Sequence, residues 1–100
     1  MKKIVLLCAG GMSTSILVNN MKSYAKEIGK EFDIAAYSVD AAATVAKDAD
    51  CVLLGPQVAY RKEDLKQYIA CPLDVIEMVA YGMMDGKKTL HQALKLMGEA

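Results

Sequence analysis

The sequence has no excess of charge of either sign. Twelve lysines and arginines balance twelve aspartates and glutamates, so no net field draws the chain to nucleic acid or to an anionic membrane. It lacks any apolar run approaching the roughly 20 residues needed to span a bilayer, which leaves membrane association to a partner. Cysteine is scarce: the three that occur are an odd number without a Cys-x-x-Cys pair. Lys2 and Lys3 lead into an apolar run too short for a secretory leader, so the expected compartment is a reducing cytosol. No repeat and no low-complexity segment interrupts the chain. What is present, 54% hydrophobic and 24% charged residues, reads as compact and globular. At 100 residues the expectation is one domain over 1–100, able to bury roughly two thirds of its unfolded surface.

Short apolar runs alternate with helical patterns. Lys3 to Leu7 suits a strand buried on both faces. Leu17, Met21, Tyr24 and Ile28 then recur at helical spacing, and Gly29 stops the helix. Asp33 to Val39 reads as a second strand, less apolar and nearer an edge. Asp40 is the expected N-cap of an alanine-rich helix to about Lys47. Cys51 to Leu54 is a third strand, broken at Gly55-Pro56, with Gln57 to Tyr60 as loop. A helix carrying Leu65, Tyr68 and Ile69 on one side follows, ending at Pro72; Leu73 to Ile76 is a fourth strand. Met78 to Met84 is ambiguous, and Asp85 caps a last helix lined by Leu90, Ala93, Leu94 and Met97. The pattern predicts an α/β fold: a three-layer open parallel four-stranded sheet in the order 2-1-3-4, with helices on both faces. In that order the winding reverses between the first and third strands, and ligands bind there, outside the carboxyl ends. Cys8 to Ser15 and Gly55 to Tyr60 then face each other across one crevice.

The first of these stretches carries the chemistry. Cys8, Ala9, Gly10, Gly11, Met12, Ser13, Thr14 and Ser15 join a strand to a helix start, which surrounds one point with backbone N–H groups backed by the positive end of the helix dipole. Glycines allow close backbone approach, and the hydroxyls either bond phosphate oxygens or only cap the helix. The cysteine at the start of this P-loop-like cradle is a nucleophile candidate, because helix N-termini favour the thiolate. Its plainer role is that of a small buried hydrophobe at a strand end. Cys51 and Cys71 lead into their strands at the opposite edge of the sheet and read as structural. Met12 either packs on the helix or docks a partner. Gln57 and Tyr60 either bond phosphate or brace the loop, while Arg61 and His91 read as surface residues. No metal or cofactor is required by these residues.

Cysteine phosphatases with a similar cradle need an arginine six positions after the nucleophile to clamp phosphate, and an acid for the leaving group. Here that position is Thr14, and Asp85, the one late acid in question, is better read as a helix cap. A phosphocysteine would hydrolyse slowly at such a site, which suits a relay better than a hydrolase. Together with Val52 to Tyr60, Tyr81-Gly82 and Asp85-Gly86, the loop resembles the enzyme IIB component of the bacterial phosphoenolpyruvate-dependent sugar phosphotransferase system (PTS), in its lactose/cellobiose (diacetylchitobiose) branch. The resemblance covers nearly the whole chain as an EIIB type-3 domain. It implies an architecture similar to low-molecular-weight tyrosine phosphatases and a phosphotransferase, a sugar kinase in net chemistry, with Cys8 as phosphocysteine intermediate. Cys8 would receive the phosphoryl group from a phosphohistidine of IIA and pass it to a sugar in the membrane-embedded IIC permease. The implied sugar is a β-linked disaccharide such as cellobiose, chitobiose or lactose. The implied protein is a cytoplasmic monomer, peripheral to the membrane through IIC. The competing readings are a small cysteine phosphatase or arsenate reductase-like enzyme, and a non-catalytic docking or regulatory domain.

Overall fold

The computed structural model describes residues 1–9 and 13–98. Four strands, Lys2–Cys8 (β1), Phe32–Ser38 (β2), Cys51–Leu54 (β3) and Leu73–Val75 (β4), form one sheet in the order β2-β1-β3-β4, as expected. All three pairings are parallel. The α-helices among the described residues are Ser13–Glu27 (α1), Ala42–Val45 (α2), Lys62–Lys66 (α3), Met78–Gly82 (α4) and Gly86–Leu96 (α5).

Side-chain alternation along the strands divides the core into two layers. Ile4, Leu6, Cys51 and Leu53 face α1 and α5, meeting Leu17, Met21, Leu90 and Leu94. Val5, Leu7, Val52 and Leu54 face the other way, onto Val39, Ala42, Val58, Leu65 and Ile69. The two central strands are thus apolar at every core position. The edge strand β2 is mostly half-exposed, as its weaker hydrophobicity suggests. Each fully buried leucine or isoleucine contributes roughly 1.5–3 kcal/mol of transfer free energy, so the stability of the sheet rests on β1 and β3.

Several local expectations need correction. The cap after β2 is Ser38, whose hydroxyl accepts from the Asp40 amide and starts a 3-10 turn at Val39–Ala41. Asp40 lies inside that turn, and α2 begins at Ala42 without a side-chain cap. Gln57 to Tyr60 belongs to a 3-10 segment, Pro56–Arg61, because proline at its first position presets the helical φ. The ambiguous stretch is helical as α4. Ile28 and Tyr68, placed on apolar stripes by spacing, are exposed, because α1 and α3 end before their turn completes; Val18 and Ala25 complete the buried face of α1 instead. β4 stops at Val75, although Ile76 is buried and still donates its amide to Leu54. Gly29 closes α1 with φ +71°, a conformation glycine adopts at little cost. Asp85 caps α5 as expected, its carboxylate accepting from the Lys88 amide at 3.0 Å.

Candidate active site

The candidate site lies where the chain leaves the carboxyl end of β1. Residues 4–7 of β1 are fully buried, Cys8 retains 5% exposure, and Ala9 is exposed. α1 then opens at Ser13, so the positive end of a 15-residue helix follows directly on the loop. Gly10, Gly11 and Met12, and the side chain of Ser13, all named as phosphate-binding or docking candidates, lie outside the described residues.

The Cys8 side chain is covered, which fits the plainer of its two roles, that of a small buried residue at a strand end. Its S–H points at the Tyr37 carbonyl of neighbouring β2, with sulfur and oxygen 3.7 Å apart. The physical reason is that a neutral thiol at a strand end has a donor to place, and β2 supplies a main-chain acceptor within reach. A thiolate has no proton to give, so the ionised sulfur loses this contact and is repelled by the carbonyl oxygen.

Across the crevice, the Gly55 amide donates to the Leu7 carbonyl at 2.8 Å, which binds the segment after β3 to the residue before Cys8. The second stretch is thus tied to β1 one residue before the first begins, while residues 10–12 of the first lie outside the described residues. Thr14, in the position where phosphatases carry arginine, is fully buried, and its hydroxyl lies 3.4 Å from the Tyr81 hydroxyl of α4. That separation is long beside the usual ~2.7–2.8 Å of a hydroxyl pair. Gln57 donates its side-chain amide to the same Tyr81 oxygen at 3.2 Å. Thr14 is thus neither a surface cap nor open to solvent. Ser15 is exposed on the next position of α1.

Tyr81 is the residue bridging these two segments that reading by spacing missed. Its only signal in the sequence is the Tyr81-Gly82 pair after a short strand, since its partners stand 67 and 24 residues away. Tyr60, by contrast, is 79% exposed and projects into solvent. Arg61 is engaged by Asp40 at 3.8 Å and Asp64 at 3.6 Å, and His91 meets the Tyr24 hydroxyl at 3.1 Å on the far part of α5. Among the described residues no three His, Cys, Asp or Glu side chains converge as metal ligands. Two open cavities of about 450 and 500 Å³ lie elsewhere, beside Lys22 to Phe32 and along α5, and neither is lined by Cys8, Thr14 or Tyr81.

The other two cysteines sit at the amino edge, as expected. Burial, reinforced by Cys71, Asp74 and Asp50, pushes the Cys51 thiol up to about 12. Burial also raises Cys71. In both, burial favours the protonated thiol.

A parallel sheet in the order 2-1-3-4, with a cysteine where the first strand meets its helix, defines a class of small α/β domains built around one strand-to-helix turn. Within that class, the family model described as PTS system, lactose/cellobiose specific IIB subunit, matches residues 3–92, and the chain belongs to this family. It is thereby a phosphotransferase of a sugar uptake system. The oligo-beta-mannoside-specific EIIB component of Bacillus subtilis is 50% identical over 101 residues, covering 97% of each chain. The solution structure of the cellobiose-specific phosphotransferase IIB component from Borrelia burgdorferi superposes with a TM-score of 0.81 at 33% identity, covering 97% of this chain and 92% of that one. A lactose-specific EIICB component of Staphylococcus haemolyticus matches over 64 residues at 36% identity, 64% of this chain but 11% of the relative. In that relative the matching segment is part of a much longer polypeptide whose name joins the C and B components. IIB components work with IIA and IIC. Among the described residues, no helix is long and apolar enough to cross a membrane.

Proposed function

We propose that Cys8 is the phosphoryl carrier of this IIB protein. Its sulfur attacks the phosphorus of a phosphohistidine on the IIA partner; the S–P bond forms, the N–P bond breaks, and the imidazole leaves with a proton. In the second step a hydroxyl oxygen of a sugar bound in IIC attacks the same phosphorus. The S–P bond then breaks, and the departing sulfur takes up the proton that the hydroxyl releases, which restores the thiol. The supporting observation is the position of Cys8, the last residue of β1, between the buried strand and the amino end of α1. Amides of residues 9–15 are the receptor in this reading. Phosphoryl transfer asks mainly for positioning and charge stabilisation, and main-chain N–H groups at a helix start supply both. The side chain must turn away from the Tyr37 carbonyl to react, which separates a resting thiol from a loaded sulfur.

Thr14 carries the distinction between relay and hydrolase. A buried neutral hydroxyl grips phosphate less firmly than a guanidinium, and Asp85, the late acid in question, is committed to the α5 cap. The phosphocysteine therefore persists until a sugar hydroxyl arrives. The sugar in this reading is a β-linked disaccharide, in keeping with the cellobiose and lactose names of relatives. The domain spans 1–100 and acts as a monomer on the cytoplasmic side, held at the membrane by IIC.

The test is intact mass after mixing with a phosphorylated IIA protein of the lactose/cellobiose type. One phosphoryl adduct is expected on the wild-type chain and none on Cys8→Ala. An adduct that survives Cys8→Ala, or steady turnover of an aryl phosphate by the wild type, overturns the reading.

A further inference from the structure

We infer that Tyr81 is a positioning residue for the Cys8 loop, acting through Thr14 and Gln57. The inference rests on the phosphocysteine reading above and names what holds its receptor in shape. Tyr81 belongs to α4, beyond the fourth strand, yet its nine-tenths buried side chain reaches both walls of the crevice. One contact is to Thr14 in the first turn of α1, and the other is the bond from Gln57 after β3. Its ring also lies over Gly55: a β-carbon there would stand 3.6 Å from Tyr81 Cε1. Gly55 is in turn bonded to Leu7, one residue before Cys8.

The loop has two ends. The upstream end, Cys8, is fixed by β1 in the sheet. The downstream end, Thr14, is fixed by where the first turn of α1 sits, and Tyr81 is a polar contact of that turn. In an arginine-clamped site this sixth position would grip the phosphate from the front; here it is neutral and held from behind. The placement of the first turn of α1 then depends on a side-chain contact rather than on a charge against the phosphate. A displacement of about 1 Å in such a receptor can cost on the order of 100-fold in rate, so a modest contact has a large lever.

The test is a two-residue cycle on the full chain, with phosphorylated IIA protein as donor and the rate of adduct formation on Cys8 read by intact mass. Tyr81→Phe keeps the ring over Gly55 and removes only the hydroxyl, and Thr14→Val removes the partner hydroxyl. Each slows loading by about tenfold or more, while the double variant is no slower than Tyr81→Phe alone, because that substitution already breaks the contact that Thr14→Val removes. Thr14→Ser, which keeps the hydroxyl, loads within about twofold of wild type. The ³¹P shift of the phosphocysteine moves in Tyr81→Phe and not in Thr14→Ser. Wild-type loading rates in Tyr81→Phe, or losses that multiply in the double variant, overturn the inference while leaving the Cys8 reading intact. A wild-type chain that takes no phosphoryl group at all overturns both. Should Tyr81→Phe fail to fold at the assay temperature, the contrast between Thr14→Val and Thr14→Ser decides: equal rates overturn the inference.

Discussion

Gly86 lies against the backbone of Asn20. A β-carbon on Gly86 would stand 2.6 Å from the Asn20 carbonyl oxygen and 2.5 Å from the Met21 amide nitrogen. This is the point where α5 begins to cross α1, and Asn20 also donates its side-chain amide to the Met84 carbonyl at 2.8 Å. That bond supports a residue in the left-handed region, Met84, with φ 53°. Because the obstacle is main chain rather than a movable side-chain tip, Gly86→Ala must push the two helices apart. The expected cost is roughly 3 kcal/mol, a fall in Tm on the order of 15 °C. Thermal unfolding by circular dichroism reads it directly, and a wild-type Tm in Gly86→Ala would show that the helices do not meet there.

This crossing also marks the boundary of what the sequence discloses. The strand Cys51–Leu54 is legible to the residue, because four apolar positions stand between Asp50 and Gly55-Pro56. So is the sheet order, since short strands and intervening helices leave few right-handed arrangements. Cys8 and the loop after it are legible as a candidate site for the same local reasons. Tyr81 is not: its part depends on three elements meeting in space, and nothing in the spacing of residues 14, 57 and 81 encodes that. The cap at Ser38 escapes for a smaller reason, as Ser38 and Asp40 are both good capping residues and the turn of the chain decides between them. The resting direction of the Cys8 thiol escapes too, because it follows from the edge strand paired with β1.

Asp74 links β4 to two helices and should govern the acid limb of stability. Lys62 Nζ stands 3.2 Å from its Oδ1, the Val75 amide donates to the same oxygen at 2.8 Å, and Gln92 donates to Oδ2 at 3.3 Å. Burial pushes this carboxyl up, but the Val75, Lys62 and Gln92 bonds together outweigh it and leave the net shift downward from 3.8. A carboxyl lowered in the folded state stabilises the fold above its unfolded pKa and loses that contribution as pH falls through the folded value. Asp74→Asn should therefore lower Tm at pH 7, with the gap to wild type closing below about pH 4. A gap that stays constant down to pH 2 contradicts this account. The side chain is 39% exposed, so solvent screening keeps the effect modest.

Cysteine reactivity should separate the two edges of the sheet. Cys51 is fully buried with its thiol near 12, so at pH 8 in the native state it should resist iodoacetamide. Cys71 is half-buried with a raised thiol and should react slowly. Cys8 should be alkylated ahead of Cys51, being at the strand end beside the exposed Ala9. The same shift has a consequence in base. An unfolded Cys51 ionises near 9 while the folded one holds its proton to about 12, so stability falls as pH rises between those values. Cys51→Val should flatten that limb. Peptide mapping after timed alkylation checks the order, and early modification of Cys51 in the folded protein would contradict it.

Gly55 allows the crevice wall to be perturbed without unfolding the sheet. Its φ of −63° and ψ of 149° suit alanine, so no backbone strain opposes the substitution. The nearest atom to a new β-carbon is Gln57 Oε1 at 3.0 Å, the end of a flexible side chain; the Leu7 carbonyl oxygen and Tyr81 Cε1 are both at an ordinary 3.6 Å. Gly55→Ala should therefore move Gln57 by a few tenths of an ångström while changing stability by less than about 1 kcal/mol, since alanine also restricts the unfolded chain. Displacing Gln57 weakens its bond to the Tyr81 oxygen, and the Gln57 side-chain amide signals in a ¹⁵N–¹H spectrum should shift while those of Gln92, bonded to Asp74 and Val75 instead, stay in place. Unshifted Gln57 signals in a folded Gly55→Ala protein would mean that the amide does not rest on Tyr81. A large loss of stability would instead mean that the wall is too tightly packed for Gln57 to yield.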